Sequence, residues 1–313
     1  MYLQDELNLH DVFVQPLNDK RFKNANINVD ILRLDKIHAV VSGNKWFKLK
    51  YWLQDAVEKN YTTIATFGGA FSNHILATAY ACNKQNLNCT GFIRGEEPKH
   101  YSQTLLDAKA LNMQLKFISR ADYSDKQNII QKNASLFFIP EGGYGKAGAC
   151  GAAEILQFVP DTSIYNYIIC AVGTGTMLAG IANASLQHQR CIGISVMKNN
   201  FSLIDEVFAL VNNELKNRAE ILHDYHFEGY AKFTQPLIDF MNEIWKKFQL
   251  PLDFVYTAKT LYAIYHLAEK NYFQPNSKIL FIHSGGLQGN CSLKEKTLLF
   301  NKYNNPSCIN TSE

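Results

Sequence analysis

Short runs of core-type residues alternate along the chain with stretches whose apolar positions recur at helical spacing. Residues 28–35 alternate as a half-buried strand does. From Lys45 onward Trp46, Leu49, Trp52, Leu53 and Val57 share one face of a helix predicted over 45–59. A buried strand at 63–67 then runs into Gly68-Gly69, followed by a helix over 74–86, a strand at 88–93 and a helix over 102–111. Short strands at 114–118 and 136–139 complete this first β–α series. A second series begins near Gly145. It reads as helices over 149–158, 178–187, 203–211, 214–223, 236–247 and 259–270, with strands at 164–172, 191–196 and 278–283. Parallel neighbours need a crossover, and a helix is the usual one, so the alternation predicts an α/β fold with mostly parallel sheet. No repeat and no low-complexity linker separates the two series, and two such lobes suggest a ligand cleft between them. The tail over 301–313 is expected to carry little.

Composition narrows the classes. With 47% hydrophobic and 19% charged residues in 313, the chain can bury a large core and is not disordered. Its 31 basic and 28 acidic side chains leave a formal charge of +3, too small an excess for a nucleic-acid binder. No apolar run approaches the ~20 residues of a membrane span. The first residues are acidic and show no signal-like apolar stretch, which predicts a cytoplasmic protein. Seven cysteines lie far apart without metal-ligand spacing, so no metal is expected and reduced, mostly buried thiols are.

Candidate chemistry gathers where glycines follow strands. Glycine there lets the backbone approach a ligand and aim N–H groups at anions. Four loops qualify: Gly68 to His74, Glu141 to Tyr144, Gly173 to Thr176 and Ser284 to Gly286. A single one is an ordinary turn; four in one chain point to a site at strand ends. A dinucleotide fold is disfavoured, because the run from Gly173 and Gly175 has Leu178 where the third glycine belongs, and the next strand ends without an acidic residue. A P-loop is disfavoured too, since no Gly-Lys-Ser/Thr follows. What remains is one phosphate held by Thr174, Thr176 and helix-terminal amides. Three lysines, Lys45, Lys48 and Lys50, crowd one helix start. A lysine beside other cations and partly desolvated becomes a competent amine nucleophile. An amine with a single-phosphate cradle suggests pyridoxal 5′-phosphate.

At these residues the chain resembles the 1-aminocyclopropane-1-carboxylate deaminase / D-cysteine desulfhydrase family of fold-type II pyridoxal-phosphate enzymes, akin to the tryptophan synthase β chain. The resemblance implies two domains, each a mostly parallel twisted sheet flanked by helices, with the cofactor in the cleft between them. Residues 1–47 with 145–313 would form the large cofactor-binding domain and 48–144 the small one. The block Gly43 to Leu49 places the Schiff-base lysine at Lys48, and Gly68 to His74 matches the family's carboxylate loop. The resemblance implies that Ser72, Asn73 and His74 hold the substrate carboxylate, with Asn73 also touching the cofactor, and that Gly173, Thr174, Gly175 and Thr176 hold the phosphate. It places Tyr230 and Tyr256 beside the substrate, and implies a homodimer. Three positions depart from the family pattern: Ser42, Phe47 and Lys50.

Two positions bear on the reaction. Cyclopropane deaminases carry Glu, near the cofactor's ring nitrogen, where this chain has Thr257, and Leu where it has Ser284. A hydroxyl cannot hold that nitrogen protonated, so the ring would be a weaker electron sink. β-Elimination of a good leaving group asks less of it than ring opening does. The expected substrate is D-cysteine or a similar small amino acid, giving pyruvate, ammonia and sulfide. Cyclopropane deamination is the alternative, with racemase or dehydratase chemistry and a catalytically idle binder also open.

Overall fold

The computed structural model describes residues 7–38 and 40–300. The chain opens with β1 (Val14–Pro16), α1 (Lys20–Asn24) and β2 (Asn28–Arg33). A first β–α series follows: α2 (Lys45–Glu58), β3 (Thr63–Gly68), α3 (Asn73–Lys84), β4 (Asn88–Arg94), α4 (Gln103–Ala110), β5 (Met113–Ile118), α5 (Arg120–Ser124), α6 (Lys126–Lys132) and β6 (Phe137–Ile139). The second comprises α7 (Lys146–Ala153), β7 (Tyr167–Val172), α8 (Thr176–Ala184), β8 (Arg190–Ser195), α9 (Leu203–Phe208), β9 (Ala219–Leu222), α10 (Gln235–Phe248), α11 (Thr257–Glu269) and β10 (Lys278–His283).

These strands form two sheets. One is wholly parallel, in the order β5-β4-β3-β6; the other runs β1-β2-β10-β7-β8-β9, with only the edge strand β1 antiparallel. Helices cover both faces of the larger sheet, which is why all six residues of β7 are buried and read as one apolar run. The fold class is α/β, as expected.

Small residues bring three helices unusually close. A Cβ at Gly151 of α7 would lie 1.7 Å from the Phe47 carbonyl oxygen of α2, and one at Gly180 of α8 2.4 Å from that of Ala149 in α7. Backbone therefore packs on backbone, and α2 is tied through α7 to α8 without long side chains between them. This matters because α2 and α8 each carry part of the site.

Several elements differ from the sequence reading. Leu215, Ala219 and Leu222 have helical spacing, but residues 213–218 form a 3-10 turn and 219–222 pair with β8 as an edge strand, Cys191 opposite Ala219. Pairing with an existing strand overrode a weak periodicity. The helix expected over 149–158 is α through Ala153 and continues as a 3-10 helix to Phe158. Elements β1, α1, α5 and α6 are too short for a periodic signal. Of the cysteines, Cys82, Cys89, Cys170 and Cys191 are buried free thiols and Cys150 is an exposed one. Cys308 lies outside the described residues. The tail over 301–313 and the first six residues lie outside the described residues. No helix among the described residues is long and apolar enough to cross a membrane.

Candidate active site

Loops at the C-terminal ends of strands from both sheets enclose a cavity of about 650 Å³. All four glycine-bearing loops reach it: Gly69, Ser72, Asn73 and His74 after β3, Glu141, Gly142 and Tyr144 after β6, Gly173 and Thr174 after β7, and Ser284 after β10. Lys48 enters from the first turns of α2, and Tyr230 and Tyr256 close another wall.

Close backbone approach holds these loops together. Gly43 has φ +65°, and a Cβ there would lie 1.7 Å from the Ser284 carbonyl oxygen. That contact docks the start of α2 on the loop after β10. Gly286, at φ +88°, leaves room for the Asn73 amide, which a Cβ would approach to 2.5 Å. In return Asn73 Nδ2 donates to the Gly286 carbonyl at 3.4 Å, while its Oδ1 is buried without a partner among the described residues.

Lys48 is buried, and its amine has no hydrogen-bond acceptor among the described residues. Burial first, then the neighbouring Lys45 ammonium, pulls its pKa down to about 7. Lys45 is itself pulled down to about 8 by burial, with the Asp253 carboxylate opposing the shift, and its Nζ donates to Asn44 Oδ1 at 2.7 Å. One amine of the pair is thus half neutral near pH 7 while the other stays largely charged.

His74 is neutral, because burial and both lysines push it down to about 3. Thr66 Oγ1 donates to the Ile139 carbonyl, so at 2.8 Å it accepts from His74 Nε2–H. The other ring nitrogen, Nδ1, is left as an unpartnered buried acceptor. A carboxylate at this loop therefore finds its donors in Ser72, whose hydroxyl makes no cap hydrogen bond, and in the free first amides of α3.

Opposite, Gly175 at φ +82° begins α8, and the Thr174 and Thr176 hydroxyls lie 3.1 Å apart. Unpaired amides and hydroxyls at a helix start form an anion cradle. Gly142 closes it from the other sheet, since a Cβ there would meet the Thr174 methyl at 2.8 Å. Thr176 and Gly175 stand behind the cavity wall, which they shape without lining.

Thr257 is also behind the wall. Its hydroxyl bonds Asp253 Oδ1 at 2.9 Å, and the same carboxylate accepts N–H groups of Val255, Tyr256 and Thr257, each at 2.8 Å. Asp253 thus fixes the turn that aims Tyr256 into the cavity. The two tyrosine rings meet edge-on, centroids 6.1 Å apart, and burial pushes both phenols above their usual range. They are protonated donors near neutral pH. The departures Phe47 and Lys50 do not touch the cavity: Phe47 packs on Phe158, and Lys50 pairs with Glu154.

Sequence reasoning passed over Arg94, Lys126, Gln127, Met197, Asn200 and Glu206, which also line the cavity. All but Arg94 are single polar or flexible residues in loops or short helices. Only the position of Arg94, at the end of β4, carried a signal.

The group that best fits is pyridoxal 5′-phosphate. A desolvated amine without a partner, an anion cradle with crowded glycines, and the bare Asn73 Oδ1 match its carbonyl, phosphate and polar ring substituents. Comparison with known proteins agrees. Residues 16–285 match the family described as pyridoxal-phosphate dependent enzyme. A Thermotoga maritima protein bearing the provisional name 1-aminocyclopropane-1-carboxylate deaminase is 30% identical over 302 residues, covering 88% of this chain and 93% of its own. The mitochondrial bifunctional D-cysteine desulfhydrase/1-aminocyclopropane-1-carboxylate deaminase of Arabidopsis thaliana is 30% identical over 283 residues, 80% of this chain and 70% of its own. A crystal structure described as an ACC deaminase homologue superposes with a TM-score of 0.77 at 27% identity, covering 90% of each chain.

Proposed function

The chain belongs to the pyridoxal-phosphate dependent enzyme family, and from that premise we propose that it eliminates thiolate from D-cysteine or a similar small β-substituted amino acid. It is a pyridoxal-phosphate-dependent enzyme of the lyase branch that includes D-cysteine desulfhydrases and cyclopropane deaminases. When bound, the cofactor supplies a carbonyl for an amine to capture and a ring that withdraws electrons from the substrate's α-carbon.

The protein's own groups do the rest. Thr174, Thr176 and the first amides of α8 would hold the phosphate, and Lys48 would supply the amine for the carbonyl. Ser72 and the start of α3 hold the substrate carboxylate. The Lys48 amine, half neutral near pH 7, is placed to take the α-proton. Tyr230 and Tyr256, held protonated, face the leaving group as donors.

The observation that carries the choice of elimination is Thr257. At the position where the resembling deaminases hold a glutamate, this chain has a buried hydroxyl engaged with Asp253, and Asp253 is spent on backbone amides. With no carboxylate free there, the ring nitrogen stays a weak electron sink, which suits a good leaving group. Ser284, on the cavity wall, supports the same reading. It further divides the chain into a large domain of residues 1–47 and 145–313 and a small one of 48–144, in a cytoplasmic homodimer.

The test is the visible spectrum of the purified protein, followed by separate addition of D-cysteine, L-cysteine and 1-aminocyclopropane-1-carboxylate. Yellow protein that yields pyruvate and sulfide from D-cysteine is the expected result. α-Ketobutyrate from the cyclopropane substrate instead would overturn the role given to Thr257. Protein that stays colourless with added cofactor would remove the role of Lys48.

A further inference from the structure

A second buried lysine lies outside the cavity. Lys259 sits in the first turn of α11, three residues beyond Tyr256, and is fully buried. Its Nζ donates to the carbonyl oxygens of His226 and Gly229, each at 2.8 Å. Those carbonyls open two consecutive turns: Gly229 N–H donates to His226 O at 3.0 Å, and Lys232 N–H to Gly229 O at 3.1 Å.

Both turns are built from the wrong residues. Phe227 and Glu228, the central pair of the first, have φ +46° and +69°. Left-handed φ at both central positions belongs to a mirror-image turn, which Asn and Gly ordinarily fill. Ala231 has φ +53° in the second turn, at a position that ordinarily needs Gly. Side chains with a Cβ are disfavoured there, and a bulky one such as Phe strongly so. Left alone, this stretch would relax. Tyr230, the residue between Gly229 and Ala231, would move with it.

We propose that Lys259 is a positioning residue: it clamps the two strained turns and so fixes the Tyr230 phenol against Tyr256. The clamp and Tyr256 share one helix start, so a single rigid element sets both phenols relative to each other. A buried ammonium is tolerated only when well hydrogen-bonded, and here the bonds it needs are the ones that hold the loop. Burial lowers the Lys259 pKa to about 8, with Asp253 opposing.

The catalytic consequence rests on the reading of Tyr230 as a donor in the elimination, and the experiment separates the two. Amide hydrogen exchange over 226–232 of the cofactor-loaded enzyme is measured alongside kcat and KM for D-cysteine. The variants are Lys259→Met, Tyr230→Phe and the double. Loss of two charge-assisted hydrogen bonds should speed exchange by about ten-fold or more. The kcat should fall as far as in Tyr230→Phe, with KM within about three-fold and the double no worse than Tyr230→Phe alone. Unchanged exchange overturns the clamp. Faster exchange with full kcat, while Tyr230→Phe is impaired, overturns the positioning role, as do losses that multiply in the double. If Tyr230→Phe keeps full kcat, or D-cysteine is not turned over, the reading of the site fails and exchange alone judges the clamp. Should Lys259→Met not fold, Lys259→Gln keeps one donor and should give a smaller change in the same direction.

Discussion

Lys48→Met isolates the lowered amine and gives it a thermodynamic signature. Burial and Lys45 bring Lys48 from 10.5 to about 7 in the folded protein. Between those values the unfolded chain holds a proton that the folded chain has released, so stability rises with pH across that window. Below about pH 7 both states are protonated and the burial cost is felt in full. With these two values the cost is about 4 kcal/mol at pH 7 and about 1.5 kcal/mol at pH 9.5, so Lys48 alone adds about 3 kcal/mol of stability over the interval. Lys45 and Lys259, lowered to about 8, tilt the wild-type curve the same way. Methionine matches lysine's shape without the amine and leaves those two in place. Urea unfolding of the cofactor-free protein at pH 7, 8, 9 and 9.5 measures the effect. Lys48→Met should be the more stable protein at pH 7, and its advantage should shrink by about 3 kcal/mol by pH 9.5. Parallel curves for the two proteins would refute the argument. The lowered amine also explains chemical readiness, since an ordinary lysine at pH 7 is neutral in only about one molecule in 3,000.

Two further substitutions test how the site is held. Gly151→Ala improves helix propensity by about 1 kcal/mol, yet its methyl would sit 1.7 Å from the Phe47 carbonyl oxygen. Forcing α7 off α2 should cost about 3 kcal/mol, so the melting temperature should fall and cofactor binding weaken; a stabilised variant would contradict the packing. Asp253→Asn keeps one acceptor but turns an NH2 group toward the amides of residues 255–257. It should lose about 1–3 kcal/mol in denaturant unfolding and lower kcat through Tyr256; unchanged kcat would deny that this carboxylate aims the tyrosine.

Much of this arrangement was legible one residue at a time. The four glycine-bearing loops were visible because glycine after a strand is a local signal, and all four line the cavity. Lys48 stood out from its cationic neighbours and its block of flanking residues. The helix expected over 214–223 failed because its periodicity was weak and β8 offered an edge to pair with. Lys126 and Glu206 went unread, since a lone polar residue in a short helix has no pattern until the chain brings it to a cavity. The acceptor character of His74 was hidden too, because it depends on Thr66 and Ile139, partners from two neighbouring strands.

The sequence by itself determined the α/β alternation, and it singled out the glycine-bearing turn after β7 and Lys48 as the groups we propose for phosphate and carbonyl, all of which rest on neighbours within a few residues. Only the tertiary structure decided what those groups become. Lys48 is lowered because the surrounding protein excludes water around it and the Lys45 ammonium repels a second charge, and Thr257 is withdrawn because Asp253 claims its hydroxyl. Lys259 reads as one more helix lysine until the fold sets it beneath two strained turns thirty residues away. Backbone periodicity is a local property, whereas desolvation, charge pairing and hydrogen-bond satisfaction depend on which distant segments the core brings together.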